Sequence, residues 1–264
     1  MHQNQTDGTQ DTYDNFSLFY RELIAATGHL AAEERMLDQL IQALGISAKS
    51  SILDAACGTG DALGHLRRRG FTNICGMDAS RGMLRRAKQL NPRIRLVRRR
   101  WEEVDLQSFD VSKHFRLVYL LSLSLPHAEG AKLPTILTRF FSLLQVGGHL
   151  VFDVRNWRRS STGCLRERER PRGCARVLGN IDAVNRKWQV TDRCSYTSDR
   201  QIVDYEIAAA DPHQDRLHFS VSYALLTADD FVRMLKDAGF CHIDCFRFDG
   251  WPYTVLRAEV GRRA

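Results

Sequence analysis

At 264 residues the chain is long enough for one sizeable core, or for a core carrying a substantial insertion. Its 44% apolar share excludes a disordered polymer, and no apolar run approaches the roughly 20 residues that a bilayer-spanning helix needs. The formal charge of +7 permits an anionic partner without requiring one, and the polar opening through Gln10 and Asp11 lacks an apolar signal core, so a cytoplasmic location is expected.

Residues 13–45 read as helix: Leu30, Met36, Leu37, Leu40, Ile41 and Leu44 recur at three- and four-residue spacing, and Gly45 stops them. Residues 51–56 read as a short buried strand, followed by Cys57-Gly-Thr-Gly60 and a helix from Asp61 to Arg69 that Gly70 ends. Residues 73–78 are a second strand. Ser80 caps a helix through Met83, Leu84 and Ala87 to Leu90, and Pro92 stops it. Residues 94–98 and 115–121 give the third and fourth strands. A helix from Ala131 to Leu144 is turned by Gly147-Gly148 into a fifth strand, His149 to Asp153.

After Trp157 the texture changes. Residues from Ser160 to Ala175 are basic and glycine-punctuated and read as a loop. Lys187–Tyr196, Gln201–Ala209 and Arg216–Leu225 then have period-two character with short polar turns, an antiparallel hairpin or meander. Thr227 caps a helix through Phe231, Met234 and Leu235 that stops at Gly239, and two strands, Cys241–Phe248 and Tyr253–Glu259, close the chain. Alternating strands and helices imply an α/β fold: a doubly wound, mostly parallel seven-stranded sheet with an antiparallel β insertion as a lid. The expected divisions are an N-terminal segment (1–30), a core (31–157), a lid (158–225), and a closing helix and strands that complete the sheet (226–264).

Leu53-Asp54-Ala-Ala-Cys-Gly58-Thr-Gly60 lies where a strand turns into a helix. Gly58 and Gly60 let the backbone turn tightly and approach a ligand, beside the free N–H groups of a helix start. A dinucleotide fingerprint needs a third glycine where Leu63 stands, with Gly64 one place late. Asp54 ahead of the glycines sits badly against a pyrophosphate and suits a ligand carrying an ammonium group. S-adenosylmethionine has an ammonium and no phosphate. Asp78, 20 residues after Gly58, can accept both hydroxyls of a ribose; an ordinary role for it is to cap the next helix beside Ser80.

With these motifs in order, the chain resembles the class I S-adenosylmethionine-dependent methyltransferases, with the Rossmann-like fold that implies. Later residues are similar to glycine N-methyltransferases: Phe152-Asp-Val-Arg155-Asn-Trp157, then Ser161-Thr-Gly163-Cys164, and the lid. The resemblance implies that Asp54, Ala56, Gly58, Gly60, Asp78, Ala79, Met83, Arg100, Trp101 and Leu121 hold the cofactor, with Arg100 and Trp101 around the adenine. Arg35 is the nearest counterpart of an N-terminal arginine that grips the cofactor carboxylate. Arg155 would clamp a substrate carboxylate, with Tyr13 and Ser124 beside the acceptor. His127 and Tyr20 are the catalytic candidates, the first as a proton acceptor for an amine. The chain departs from that family at Arg116 and at Ser122-Leu123-Ser124, where the family has F-D and G-N-S.

The acceptor expected is a small molecule, the amine of glycine or a related amino acid. A more hydrophobic metabolite stays open because Leu120, Leu121, Leu123 and Leu125 crowd the fourth strand's end. The clusters Arg67–Arg69, Arg98–Arg100 and Arg166 through Arg176 keep RNA as an alternative, disfavoured because no N/D-P-P-Y/F follows that strand. A non-catalytic cofactor-binding protein is the remaining class. No membrane partner is expected, and a homo-oligomer is left open. The seven cysteines (Cys57, Cys75, Cys164, Cys174, Cys194, Cys241, Cys245) form no C-x-x-C pair and read as free thiols, with no metal site.

Overall fold

The computed structural model describes residues 13–109, 114–159, 165–167, 175–209 and 216–261. The apolar ladder read as one helix over 13–45 is interrupted. A helical turn at 13–16 precedes α1 (Tyr20–Ala26), and Gly28, at φ +72°, separates α1 from α2 (His29–Ala43). The alternating elements follow in the order read from sequence: β1 (Ile52–Asp54), α3 (Asp61–Arg68), β2 (Ile74–Asp78), α4 (Arg81–Leu90), β3 (Arg95–Arg98), β4 (Phe115–Leu120), α5 (Leu133–Leu143) and β5 (Leu144–Val154). Ser80 does cap α4, its hydroxyl accepting the Met83 N–H at 3.1 Å. The fifth strand differs from expectation. It begins at Leu144, so Gly147-Gly148 lie inside it. Gly147 at φ +72° and a register shift against β4 between Phe115 and Leu117 mark the irregularity that accommodates them.

After β6 (Trp157–Arg159), β7 (Leu165–Glu167), β8 (Ala175–Ala183), β9 (Arg186–Tyr196), β10 (Arg200–Ala209) and β11 (Arg216–Ala224), the capping box of Thr227 and Asp230 starts α6 (Ala228–Asp237). The chain then returns to the sheet as β12 (Cys241–Phe246) and β13 (Thr254–Glu259). The seven-stranded order is β12-β13-β5-β4-β1-β2-β3. Pairs from β5 through β3 are parallel; β13 and β12 are antiparallel. Apolar layers cover both faces, with Phe115, Phe140, Phe152 and Phe231 in one and Met36, Leu37, Leu63 and Tyr119 in the other. The strand order reverses between β1 and β4. A ligand crevice belongs outside the C-terminal ends of those strands.

The lid is a four-stranded antiparallel sheet, β11-β10-β9-β8. Its last three strands match the three period-two runs. β8 and the β6–β7 pair were not expected, because the stretch after Trp157 reads as loop. Ala175, Arg176 and Val177 are all exposed, so the start of β8 shows no alternation to detect. Ser161, Gly163 and Cys164 of the glycine-methyltransferase-like stretch lie outside the described residues. The lid packs against the N-terminal segment: Phe16 lies 5.0 Å from Phe219 and Phe19 5.2 Å from Trp188, ring to ring.

Candidate active site

At the end of β1 the backbone turns through Gly58 (φ +48°) and Gly60 (φ +81°), conformations that favour glycine. Gly58 presents its N–H to Asp78 Oδ2 at 2.9 Å, and Ser80 N–H donates to Asp78 Oδ1 at 2.8 Å. Those bonds fix the carboxylate at the end of β2 and leave each oxygen a lone pair. Burial raises its pKa to about 6 in spite of them. Gly60 serves packing rather than the crevice: a Cβ there would stand 3.0 Å from that of Ala87 on α4. Beyond β3, Trp101 donates its indole N–H to the Ala55 carbonyl at 2.7 Å. Trp101, Arg100, Ala56, Gly58, Asp78, Ala79 and Met83 therefore meet, lining a cavity of about 330 Å³.

A smaller chamber of about 40 Å³ adjoins it, sharing Tyr20, Ala56, Gly58, Ser122 and Ser124. Asp54 and Leu121 line it, as do Glu33, Asp61 and Tyr119. The Tyr119 hydroxyl donates to Asp54 Oδ2 at 3.0 Å and the Ala56 N–H to Oδ1 at 3.3 Å. Burial, then the neighbouring Glu33, push the Asp54 carboxyl up to about 8, and burial pushes Glu33 up to about 7. Among the described residues of its wall there is no Lys, Arg or His. Asp61 pairs with Arg21, but Asp54 and Glu33 have no basic side chain beside them in that wall, and a cationic ligand would favour their charged forms. Glu33 and Asp61 escaped the sequence reading because a helical Glu resembles any solvated face and Asp61 any first-turn acid.

The lid side brings in different residues. Tyr13 and His127 both line the larger cavity, with Ser124, Arg200 and Ser222. His127 Nδ1 lies 2.8 Å from the Ser222 carbonyl, which can only accept, so Nδ1 carries the proton. Nε2 then accepts from the Tyr13 hydroxyl at 2.9 Å. Burial is the main cause that lowers His127 to about 4, so the ring is neutral near pH 7. Arg200 ties the lid to this loop, donating to the His127 carbonyl at 2.9 Å and to the Ser222 hydroxyl at 3.0 Å. Nothing in the local sequence marks Arg200; its role comes from β10 crossing the loop.

Two consecutive residues after β4, Ser122 and Leu123, have φ of +60° and +62°. Non-glycine residues are strained there, by about 1–3 kcal/mol each. Asp153 at the end of β5 holds them in place, accepting the Ser122 N–H at 3.1 Å and the Leu123 N–H at 2.6 Å, and the Trp251 indole N–H at 3.1 Å. This loop forms the partition between the two chambers.

Two expected residues lie elsewhere. Arg35 is exposed on α2, its guanidinium beside Gly250, and lines neither chamber. A helix shows one face to the crevice, and Arg35 is two positions past Glu33, on another face. The basic group at the small chamber's edge is Arg21, whose Nε donates to Asp61 at 2.8 Å. Arg155 also lines neither cavity: its guanidinium stacks 4.7 Å above Tyr223 and 5.8 Å from Tyr253. The arginine clusters are partly engaged in the fold, Arg68 with Glu34 and Arg69 with Asp38. Arg166, Arg168, Arg170 and Arg172 have no described side chain. Among the described residues no helix is long and apolar enough to cross a membrane, and no His, Cys, Asp and Glu group could hold a metal.

Residues 52–148, which span the glycine turn and both partner strands, match the family model described as a methyltransferase domain. That stretch is similar to a methyltransferase domain, and the sheet around it has the Rossmann-like fold of the S-adenosylmethionine-dependent methyltransferases. The chain is 29% identical over 152 residues to a Geobacillus sp. (strain WCH70) protein named as a methyltransferase, covering 55% of this chain and 58% of that one. The match thus spans less than two thirds of that relative. Among solved structures, the sugar N-methyltransferase KedS8 from Streptoalloteichus sp ATCC 53650 superposes with a TM-score of 0.73 at 24% identity, over 99% of this chain and 98% of that one. An S-adenosylmethionine-dependent methyltransferase from Clostridium acetobutylicum ATCC 824 gives 0.71 at 17% identity, over 94% and 99%. CalS10, an amino pentose methyltransferase from Micromonospora echinaspora, gives 0.65 at 18% identity, over 86% and 90%. The seven-stranded sheet with its separate antiparallel sheet is the methyltransferase fold expected from sequence. The residues present fit that cofactor: Asp54 and Glu33 in the small chamber would take its cationic end, and Asp78 in the larger cavity its ribose hydroxyls.

Proposed function

We propose that the chain transfers the methyl group of S-adenosylmethionine to the nitrogen of a small-molecule amine, an amino sugar in preference to glycine. The observation that carries this reading is the Tyr13–His127 pair, which opens onto the same cavity as Asp78 and Trp101. The cofactor, when bound, supplies a methyl already activated by its sulfonium. Asp54 and Glu33 receive its charged amino-acid end, Asp78 its ribose hydroxyls, and Trp101 and Met83 flank its base.

The remaining task is alignment and dehydration of the nucleophile. The Tyr13 O–H donates a hydrogen bond to His127 Nε2, so the phenolic oxygen keeps its lone pairs for an N–H of the acceptor. Holding that N–H leaves the nitrogen lone pair free to face the methyl. His127 stays fixed by Ser222, and Arg200 holds the lid strands over both. Methylation leaves an extra proton on nitrogen, which is lost to solvent with the product. Tyr20, on the partition between the chambers, closes the site over its cofactor side.

The preference for a sugar amine has two supports. Arg155, the carboxylate clamp that a glycine acceptor requires, stacks on tyrosines away from the cavity wall. The wall also offers the hydroxyls of Ser124 and Ser222, which suit a hydroxylated acceptor, and structural relatives include enzymes named as sugar and amino pentose methyltransferases. Transfer of label from methyl-tritiated S-adenosylmethionine to a panel of amino sugars and amino acids tests the proposal. Labelling of amino-sugar acceptors without glycine is the expected result; labelling of glycine alone would overturn the acceptor assignment.

A further inference from the structure

Arg155 is buried, 8% exposed, immediately past the end of β5, and it lines neither chamber. The chain on either side of it is pinned to the sheet. Val154 pairs with Thr254, and Asn156 donates to the Pro252 carbonyl at 3.2 Å and accepts from the Thr254 hydroxyl. Its guanidinium lies over the Tyr223 ring of β11 at 4.7 Å and beside Tyr253 at 5.8 Å. A flat group that keeps its charge and is weakly hydrated suits that place, where an ammonium would stack poorly.

Tyr223 connects Arg155 to the Tyr13–His127 pair. Its ring lies 4.4 Å from the His127 ring, tilted by 35°. The residue before it, Ser222, supplies the carbonyl to which His127 Nδ1 donates. Consecutive residues of β11 thus hold one imidazole in two ways: the carbonyl fixes an edge atom, and the tyrosine fixes the plane. Together they aim Nε2 at the Tyr13 hydroxyl, 2.9 Å away. Tyr223 is 7% exposed and packs in an apolar cluster with Leu123, Cys194, Val203 and Val221. Those contacts tie it to the lid and to the partition, and Arg155 ties it to the end of β5.

We propose that Arg155 is a positioning residue for the Tyr13–His127 pair, acting through the Tyr223 ring, and that it does not touch the acceptor. The inference rests on the role given to that pair above. Tyr223 can hold the imidazole plane only if its own ring is held, and the guanidinium supplies a contact that the apolar neighbours do not. The end of β5 thereby sets where the Tyr13 oxygen faces, although Arg155 itself stays outside the cavity wall.

The charge of Arg155 works in the same direction. His127 accepts from Tyr13 only while its Nε2 is unprotonated. Burial opposes protonation most; the Ser222 carbonyl favours it, and the positive charges of Arg200 and Arg155 oppose it. Among the described residues, Tyr13, Tyr223, Arg155 and Arg200 are the titratable or charged side chains that face the ring, from the N-terminal segment, β11, the end of β5 and β10. Arg200 is engaged by the carbonyls of His127, Ala128 and Ser222. Arg155 is therefore the cation that can be changed without releasing this loop.

The experiment joins nuclear magnetic resonance of the full chain, isotopically labelled at histidine, to steady-state kinetics with the amino-sugar acceptors of the panel above. The His127 signal is the one absent from His127→Gln. At about pH 5 a histidine with a pKa of about 4 is about 10% protonated, and that is the wild-type expectation. In Arg155→Met about half of His127 should be protonated at that pH. Its kcat should fall about tenfold, while the KM for the acceptor stays within about twofold of wild type. Arg155→Lys, which restores the charge, should return His127 to its wild-type protonation and recover part of kcat. Wild-type kcat and His127 protonation in Arg155→Met would overturn the proposal. So would a raised acceptor KM with kcat unchanged, or an Arg155→Lys chain indistinguishable from Arg155→Met. A wild-type chain that methylates no amine would instead remove the function assigned to the pair, and the spectra would still test the coupling of Arg155 to His127.

Discussion

The Tyr13 hydroxyl meets His127 Nε2 at 2.9 Å, joining the N-terminal segment to the loop after β4 across 114 positions of sequence. Because His127 Nδ1 is committed to the Ser222 carbonyl, the direction of that bond is fixed. Tyr13 is therefore oriented by its own donor bond, and its oxygen faces the cavity as an acceptor.

Removing that acceptor should damage turnover more than cofactor binding. Tyr13→Phe keeps the ring that packs on Phe16 and should lower kcat about 100-fold, while the Kd for S-adenosylmethionine stays within about twofold. Steady-state kinetics and calorimetry on the same preparation check this. Losses of equal size in both would assign Tyr13 to the cofactor instead.

Asp14 fastens the N-terminal segment to α4. Asp14 Oδ1 accepts from the Ser80 hydroxyl at 2.5 Å and the Gly82 N–H at 2.9 Å, which caps the start of α4 from outside. A Cβ on Gly82 would lie 2.4 Å from the Asp14 carbonyl oxygen and 2.6 Å from Ser17 Oγ. Gly82→Ala should therefore undock the segment at a cost of about 1–3 kcal/mol. Limited proteolysis should then cleave ahead of α1 faster than in wild type, and Tm should fall. An unchanged cleavage rate would refute the docking role.

Glu33, Asp54 and Asp78 carry pKa values raised to about 7, 8 and 6. The folded chain holds these protons more tightly than the unfolded one. The stability they contribute is thus present at low pH and lost as pH rises through those values. A bound cation offsets the loss. The thermal shift caused by saturating S-adenosylmethionine should consequently be larger at about pH 8.5 than at about pH 6.5, as scanning fluorimetry with and without cofactor would measure. Buried His29, His127 and His149, lowered to about 4, act in the opposite direction on acidification but enter both arms equally. A shift that shrinks as pH rises would contradict the acid-chamber account.

The parts of this molecule that were legible in sequence are those built from contiguous residues. The turn from Asp54 to Gly60 carries its geometry in two glycines, and Asp78 follows at the end of the next strand. Strands buried on both faces, such as β4, read as continuous apolar runs. What stayed hidden depends on contacts between distant segments. Gly82 in a helix looks like a weak helix residue until Asp14 is placed on it. Ser122 and Leu123 give no sign of a positive φ, since Asp153, about 30 positions away, accepts the backbone N–H groups that hold them. Glu33 and Arg35 sit two apart on one helix, and choosing between them needed the helix's rotation about its axis. The start of β8 carries no alternation because it is exposed, so that edge of the lid was invisible.

The most direct test of the account is calorimetric titration of the purified chain with S-adenosylmethionine, beside an Asp78→Ala variant. Wild type should bind with a one-to-one stoichiometry, and Asp78→Ala, stripped of the proposed ribose acceptor and of its bonds to Gly58 and Ser80, should bind at least about tenfold more weakly. Absence of binding by the folded wild-type chain, or equal affinity in the variant, would contradict it.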